Sequence, residues 1–220
     1  MKNKFLWTMS AAAMLAAPLG TARADILTFD TFGAFSSALN FYGGTIQNVL
    51  TPGASTGTTV SGFTNQTNSQ VNVTSLTAAQ LSVADANGQA VFTGAGGGAI
   101  GTGGFYISLP VGTFTALAFN LDNVQGQTGT ATITTLEPDA HVTNTQYSLG
   151  NGSNFFGVLA INNQSISRVT VGGGIAIQDL AQVRIGGVGV SSVPEPSTYA
   201  LMATGLVGLV GFARRRRQQV

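Results

Sequence analysis

The chain has no cysteine. Disulfides and thiolate-bound metals are therefore excluded, and stability has to come from burial, hydrogen bonds or a hard cation held by oxygen. It has one histidine, His141, so a zinc site would lack both cysteine and a second histidine. A Ser-His-Asp site would have to use that one residue, and no G-x-S-x-G elbow is there to present a serine. Charge is scarce, at 8% of residues. Between Asp25 and Val193 the basic side chains are Arg168 and Arg184. They face seven acids, Asp25, Asp30, Asp85, Asp122, Glu137, Asp139 and Asp179, for a net of −5. A nucleic-acid partner needs a basic face, and this segment has none.

Glycine is abundant, with 30 residues, and threonine, serine and asparagine are frequent. That composition belongs to a β-rich exported protein. Lys2 and Lys4 precede an apolar run from Phe5 to Ala17, and Pro18 and Gly20 break it. Ala22-Arg23-Ala24 then offers small residues at the positions read by signal peptidase. Residues 1–24 therefore read as a signal peptide cut before Asp25. The run, about 13 residues, is short for a ~30 Å bilayer core.

Residues 25–192 read as one domain of short strands. Ile26–Phe29 is the first strand. Thr31 stands where it can cap a brief helix, with Phe32, Phe35 and Leu39 on one face. Strand-like pieces then follow at 58–63, 71–76, 79–84, 90–93, 104–109, 113–121, 129–136, 141–148, 155–161, 167–171 and 175–185. Asn87-Gly88 is the strongest hairpin signal, and Asn151-Gly152 and Asn162-Asn163 mark turns. With no helical crossovers, the expected fold is all-β: an antiparallel β-sandwich or jelly roll with one short N-terminal helix. A parallel β-solenoid is the alternative, and no fixed repeat period supports it.

Several residues invite chemistry. Gly96 to Gly101 match G-x-G-x-x-G, with Asp122 beyond, but the following residues read as a strand, so no helix N-terminus is available to hold a pyrophosphate. His141 follows a turn and reads as structural. Glu137-Pro138-Asp139 is the one close pair of acids and reads as a loop. In the run Ile175 to Ile185, strict alternation puts Asp179 among Ile175, Ile177, Val183 and Ile185 on the apolar face. A bare buried carboxylate is costly. It must be paired, bound to a metal, or turned outward by a bulge or turn near Gln178-Asp179. Calcium is the candidate metal, with Asp179 and Asp122 as ligands and Asp30 as a further partner. The aromatic pairs Phe41-Tyr42, Phe105-Tyr106 and Phe155-Phe156 would each place one ring inward in a strand, leaving Tyr42 or Tyr106 to stack on a sugar. Phe155-Phe156-Gly157-Val158, Ile166 to Val169 and Ile177 to Leu180 resemble a segment of carbohydrate-binding and discoidin-like jelly rolls. In those modules the closing-strand aspartate binds structural calcium.

The last segment is the most informative. Val193-Pro194-Glu195-Pro196-Ser197-Thr198 precedes an apolar run at 199–213, and Arg214, Arg215, Arg216 and Arg217 follow. The prolines keep the motif extended, as a protease substrate requires. The run spans about 22 Å as a helix, short of the ~30 Å core, so the expected C-terminal transmembrane helix is a marginal anchor. The four arginines place the C-terminus in the cytoplasm.

This tail, residues 193–217, resembles the PEP-CTERM sorting signal of Gram-negative bacteria, also known as the ice-binding protein C-terminal domain. The resemblance implies export, anchoring in the inner membrane, processing near Pro194-Glu195-Pro196 by an exosortase-type membrane protease, and delivery to the cell surface or extracellular polysaccharide matrix. The expected function is that of a non-enzymatic structural or adhesive surface protein that contacts polysaccharide. A secreted glycan hydrolase is the alternative. An ice-binding protein is a further one, and it would need a flat, regular threonine array.

Overall fold

The computed structural model describes residues 26–172 and 174–189. The expected signal peptide, membrane helix, Pro-Glu-Pro motif and arginine cluster lie outside them. Among the described residues no helix is long and apolar enough to cross a membrane. The elements run β1 (Ile26–Phe29), α1 (Phe32–Phe41), β2 (Gln47–Leu50), β3 (Ser55–Gly57), β4 (Thr59–Thr64), β5 (Gln70–Ser75), β6 (Leu81–Ala86) and β7 (Gln89–Gly94). A short 3₁₀ turn, Ala95–Gly97, leads on to β8 (Phe105–Ser108), β9 (Ala116–Asn123), β10 (Gly129–Leu136), β11 (Val142–Leu149), β12 (Ser153–Ala160), β13 (Arg168–Gly172) and β14 (Ile177–Gly186). The expected helix and strands are present. Strands β2 and β3 were not expected, because four and three residues are too short to show a period in the sequence.

Every described strand pair is antiparallel, which rules out the parallel solenoid. The path β1-β12-β9-β14-β2-β4-β5-β8-β13-β10-β11 wraps into a barrel-like sandwich, with β7, β6 and β3 branching from β14. Short turns fix the register. Asn87 and Gly88 both have positive φ (55° and 79°), as a two-residue hairpin matching strand twist demands, and Ala86 faces Gln89 across it. The Gly88 amide donates to the Asp85 carboxylate at 3.1 Å.

Alternation then builds the core. Val71 and Val73 on β5, Phe105 and Ile107 on β8, Ala131 and Ile133 on β10, and Val169 and Val171 on β13 point inward. They meet Leu117, Phe119 and Leu121 of β9 and Leu180, Val183 and Ile185 of β14 in one continuous cluster. Phe105 and Phe156 supply the inward rings of their pairs, while Tyr106 and Phe155 lie on the other side of their strands. The pair Phe41-Tyr42 departs from the expectation. It ends α1 instead of lying in a strand, so both rings are exposed.

A second, smaller cluster fastens α1 to the outer side of β9 and β12, where Phe35 and Leu39 pack on Ala116, Ala118 and Leu159. Phe32 shares their helical face but stays half-exposed, edge-on to Phe155 at 5.7 Å. Thr31 occupies the N-cap with extended backbone, yet its side chain makes no capping hydrogen bond, contrary to the expected role. The helix is therefore held by packing. Gly157 is central to it: a Cβ there would lie 2.6 Å from the Phe35 ring. Gly157→Ala is expected to lower stability by about 1–3 kcal/mol through overpacking. Chemical denaturation checks this, and an unchanged midpoint would show that the helix can shift freely.

Candidate functional site

Strand β14 carries two register shifts against β9. Ile177 faces Asn123, and Asp179 then faces Asp122, so two residues advance against one. The same occurs between Ala181 and Arg184, where Gln182 has a φ of 51°. Each bulge reverses which side the next residue faces. Asp179 is thereby turned from the apolar side to the outer side, and the second bulge returns Ile185 to the core. The bulge expected near Gln178-Asp179 is present.

The bulge also sets Asp179 directly opposite Asp122, the two acids named as calcium ligands. A polar row crosses this face at one level: Thr56, Ser82, Thr93, Asp179, Asp122 and Ser153. Like charges so placed repel. Burial and, secondarily, the Asp122 charge push the Asp179 carboxyl above its ordinary value. The Asp122 Oδ1 and, one row away, the Asn120 Oδ1 are buried without a partner. These oxygens suit a hard cation, which takes carboxylate, amide and carbonyl ligands. Asp30 is not with them. It is exposed near Tyr147, whose hydroxyl is pushed up chiefly by burial, with a smaller push from Asp30. No group of three acidic, histidine or cysteine side chains suited to a metal occurs among the described residues. Arg184, further along the same face, donates its Nε–H to the Asn48 amide oxygen at 3.2 Å and lies 5.3 Å from the Phe32 ring centroid.

The opposite outer face belongs to β4, β5, β8, β13, β10 and β11. Thr59, Thr74, Tyr106, Thr170, Thr134 and Asn144 form one level across it. Threonines recur, but Tyr106 interrupts the row. Thr59 and Thr74 bond to each other at 2.9 Å, and Thr134 donates to Asn144 at 2.6 Å. The regular array of the ice-binding alternative is therefore not formed here. The Arg168 guanidinium sits over the Tyr106 ring, 5.1 Å from its centroid, so that face of the ring is already covered.

A third feature lies at the end of α1. Tyr42, Gly43 and Gly44 close the helix, with amides bonded to Ala38, Asn40 and Leu39 carbonyls. They form one wall of a cleft of about 490 Å³. The other wall is the turn after β12, where Asn162 and Asn163 have φ of 55° and 61° and the Gln164 amide returns to the Ile161 carbonyl at 3.1 Å. The two-asparagine turn was legible in sequence. Its meeting with the helix end was not, because that contact joins segments about 120 residues apart.

The remaining candidates separate cleanly. The glycine loop runs through the 3₁₀ turn into β8, a strand and not a helix, as expected. His141 is exposed, and its amide bonds to the Asp139 carboxylate at 3.1 Å. Glu137-Pro138-Asp139 follows β10 as a loop, as expected, but Glu137 is buried: it is 1% exposed, and neither carboxylate oxygen has a hydrogen-bond partner. The alternation Ala131, Ile133, Thr135, Glu137 carries it inward, a signal present in the sequence but masked by Pro138. Burial pushes its carboxyl above the ordinary value, His141 pulls it down and Asp139 pushes it up. The folded state thus holds this proton more tightly than the unfolded state. The associated stability is present below the unfolded pKa, ~4.3, and is lost as pH rises through the raised folded value. The Tm of Glu137→Gln should exceed wild type at pH 7 and converge on it near pH 4, with a rise of about 2–4 °C per kcal/mol regained. Parallel Tm–pH curves would place the carboxylate in water.

Three comparisons bear on the chain. A family 29 carbohydrate-binding module in complex with cellulohexaose is similar at 13% identity, with a TM-score of 0.35 over 62% of this chain and 94% of that one. The enzymatically active domain of bacteriophage CBA120 tailspike protein 4 is similar at 16% identity, with a TM-score of 0.26 over 76% of this chain and 19% of that one. Likeness at this level assigns neither ligand nor activity. No curated protein matches the chain. Residues 192–217, however, match the PEP-CTERM protein-sorting motif, as the tail residues implied. The chain is a PEP-CTERM sorting domain-containing protein.

Proposed function

We propose that this protein is a non-enzymatic, structural or adhesive component of the cell surface or extracellular matrix, and that its β-sandwich associates with polysaccharide. The sorting motif at residues 192–217 carries the reading, since such a motif implies export, membrane-anchored sorting as an exosortase substrate, and surface localisation. In the finer account, signal peptidase cuts before Asp25. The run at 199–213 then holds the chain in the inner membrane with Arg214 to Arg217 in the cytoplasm, and exosortase acts near Pro194-Glu195-Pro196.

The domain's surface supports a passive, polysaccharide-facing role. Its outer rows are hydroxyls and amides, many bonded to one another. The hydrolase alternative needs carboxylates placed around a substrate cleft. The clefts at Tyr42, at Leu50 to Asn68 and at Gly126 to Ile175 are lined by none. Asp122 and Asp179 instead face each other across neighbouring strands. In this reading they hold a structural calcium ion, which relieves their repulsion.

Two experiments test the proposal. Glu195→Ala should leave unprocessed chain in the inner membrane and reduce the amount in the matrix fraction, as seen by immunoblotting of fractions. Normal processing and delivery would sink the sorting account. Calcium should raise the Tm and a chelator lower it, and both effects should vanish in Asp179→Asn. A Tm indifferent to calcium removes the ion from the proposal.

A further inference from the structure

At the cleft at the end of α1, the side chains of Tyr42, Asn163 and Gln164 make no hydrogen bond within the described domain. The hydroxyl rows on the second sheet bond among themselves, and Tyr106, in the outer row, lies beneath Arg168. Tyr42 is 46% exposed and is steadied by Phe41, whose ring meets it edge-on at 5.0 Å and 87°. Two prefolded walls fix its position. The helix end is locked by three successive amide bonds, and Gly44 sits close against the Leu39 side chain, whose Cδ1 would lie 2.6 Å from a Cβ there. The opposite wall is pinned where the Ala160 and Ile166 amides bond to the Thr115 and Phe114 carbonyls at 2.7 Å each. A site held this way loses little freedom when it binds.

The lining selects the ligand. Tyr42 offers an aromatic face. Asn163 and Gln164 offer amides whose side chains bond to nothing else within the described domain, and strand ends supply carbonyls. No acid, arginine, lysine or histidine lines the cleft. A charged ligand would enter without a counter-charge and lose hydration, which is costly. A neutral ligand with one apolar face and several hydroxyls at its rim satisfies every group present. A hexose ring has that form: its C–H face lies against the tyrosine, and its hydroxyls donate to and accept from the amides. A volume of about 490 Å³ falls in the ordinary range for a small-ligand site and is open enough for a chain to run through.

We propose that the cleft between Tyr42 and the Asn162–Gln164 turn is a binding site for neutral polysaccharide. The inference rests on the polysaccharide association proposed above and locates it. The test is affinity gel electrophoresis of the full chain in gels containing soluble β-glucan, galactomannan or, as the acidic comparison, polygalacturonate. A neutral glycan should retard the protein. Tyr42→Ala should weaken that retardation at least ten-fold and Gln164→Ala about three-fold, the cost of a lost stacking or hydrogen-bonding group. Tyr106→Ala should bind as wild type. Melting curves that match wild type for Gln164→Ala keep the result independent of folding. Retardation unchanged in both Tyr42→Ala and Gln164→Ala, or abolished in Tyr106→Ala, overturns the cleft and leaves polysaccharide association standing. No retardation by any of the three polymers overturns the association and the cleft together. Retardation by polygalacturonate alone overturns the neutral-ligand assignment.

Discussion

The pairing of β14 is the constraint on which the rest of the domain depends. It runs beside β9 along most of its length, while its other edge is divided between β7 at one end and β2 at the other. Through β2 the path passes to β4 and the opposing sheet. A chain without cysteine has no covalent staple for this junction, so the junction must be held by burial and ladder bonds. Leu180, Val183 and Ile185 supply the burial. The two bulges let one strand pair with β7 at one end and β2 at the other, since a bulge bends a strand and sharpens its twist. Asp179 sits at the first of them. Its outward placement follows from the architecture, and its opposition to Asp122 is a by-product that a proton or a cation can relieve.

The same sheet shows how a flat face is converted into a site. Ala116, Ala118 and Gly157 are small and lie on the outer side of β9 and β12. That shallow patch admits Phe35 and Leu39, so α1 lies down on the sheet and covers it. Once docked, the helix ends over the point where β12 leaves the sheet. The cleft at Tyr42 exists because the helix has a fixed length and a glycine-terminated end, and because β12 stops at Ala160 in a turn of left-handed asparagines. The aromatic ring, the helix stop and the turn are each local features. Only the packing of Phe35 on Gly157 brings them together.

What was legible in the sequence follows from this division. Strands with strict alternation, such as Gly129–Leu136, emerge at their expected bounds, because one buried and one wet face leave a clear period. The hairpin at Asn87-Gly88 was equally plain, since only residues tolerant of positive φ serve there. Strand β14 was found, but its alternation was misleading: two inserted residues made Asp179 look buried when its side chain points outward. Glu137 does lie in the loop that the adjacent proline marks, but its burial went unread, because the alternation carries the side chain inward one residue beyond the strand. The sorting motif was the most readable part because a membrane protease reads it as a linear sequence. The cleft was unreadable because its walls meet only after folding.

Charge ties the tail to the domain. Seven of the nine basic residues lie outside Asp25 to Val193, at the two ends of the chain. The two that remain, Arg168 and Arg184, lie against the aromatic rings of Tyr106 and Phe32. Burial also pulls the Arg184 guanidinium below its usual range. The folded domain therefore keeps acids in excess and offers little cationic surface, so long-range attraction to an anionic polymer is absent. A protein built this way gains nothing from electrostatic capture once it leaves the membrane. Under the proposed function, retention in a matrix has to rest on short-range contacts, of the hydroxyl, amide and aromatic kind that the domain presents. That requirement favours a neutral polysaccharide over an acidic one, and it does so from the distribution of arginines alone, before any cleft is considered.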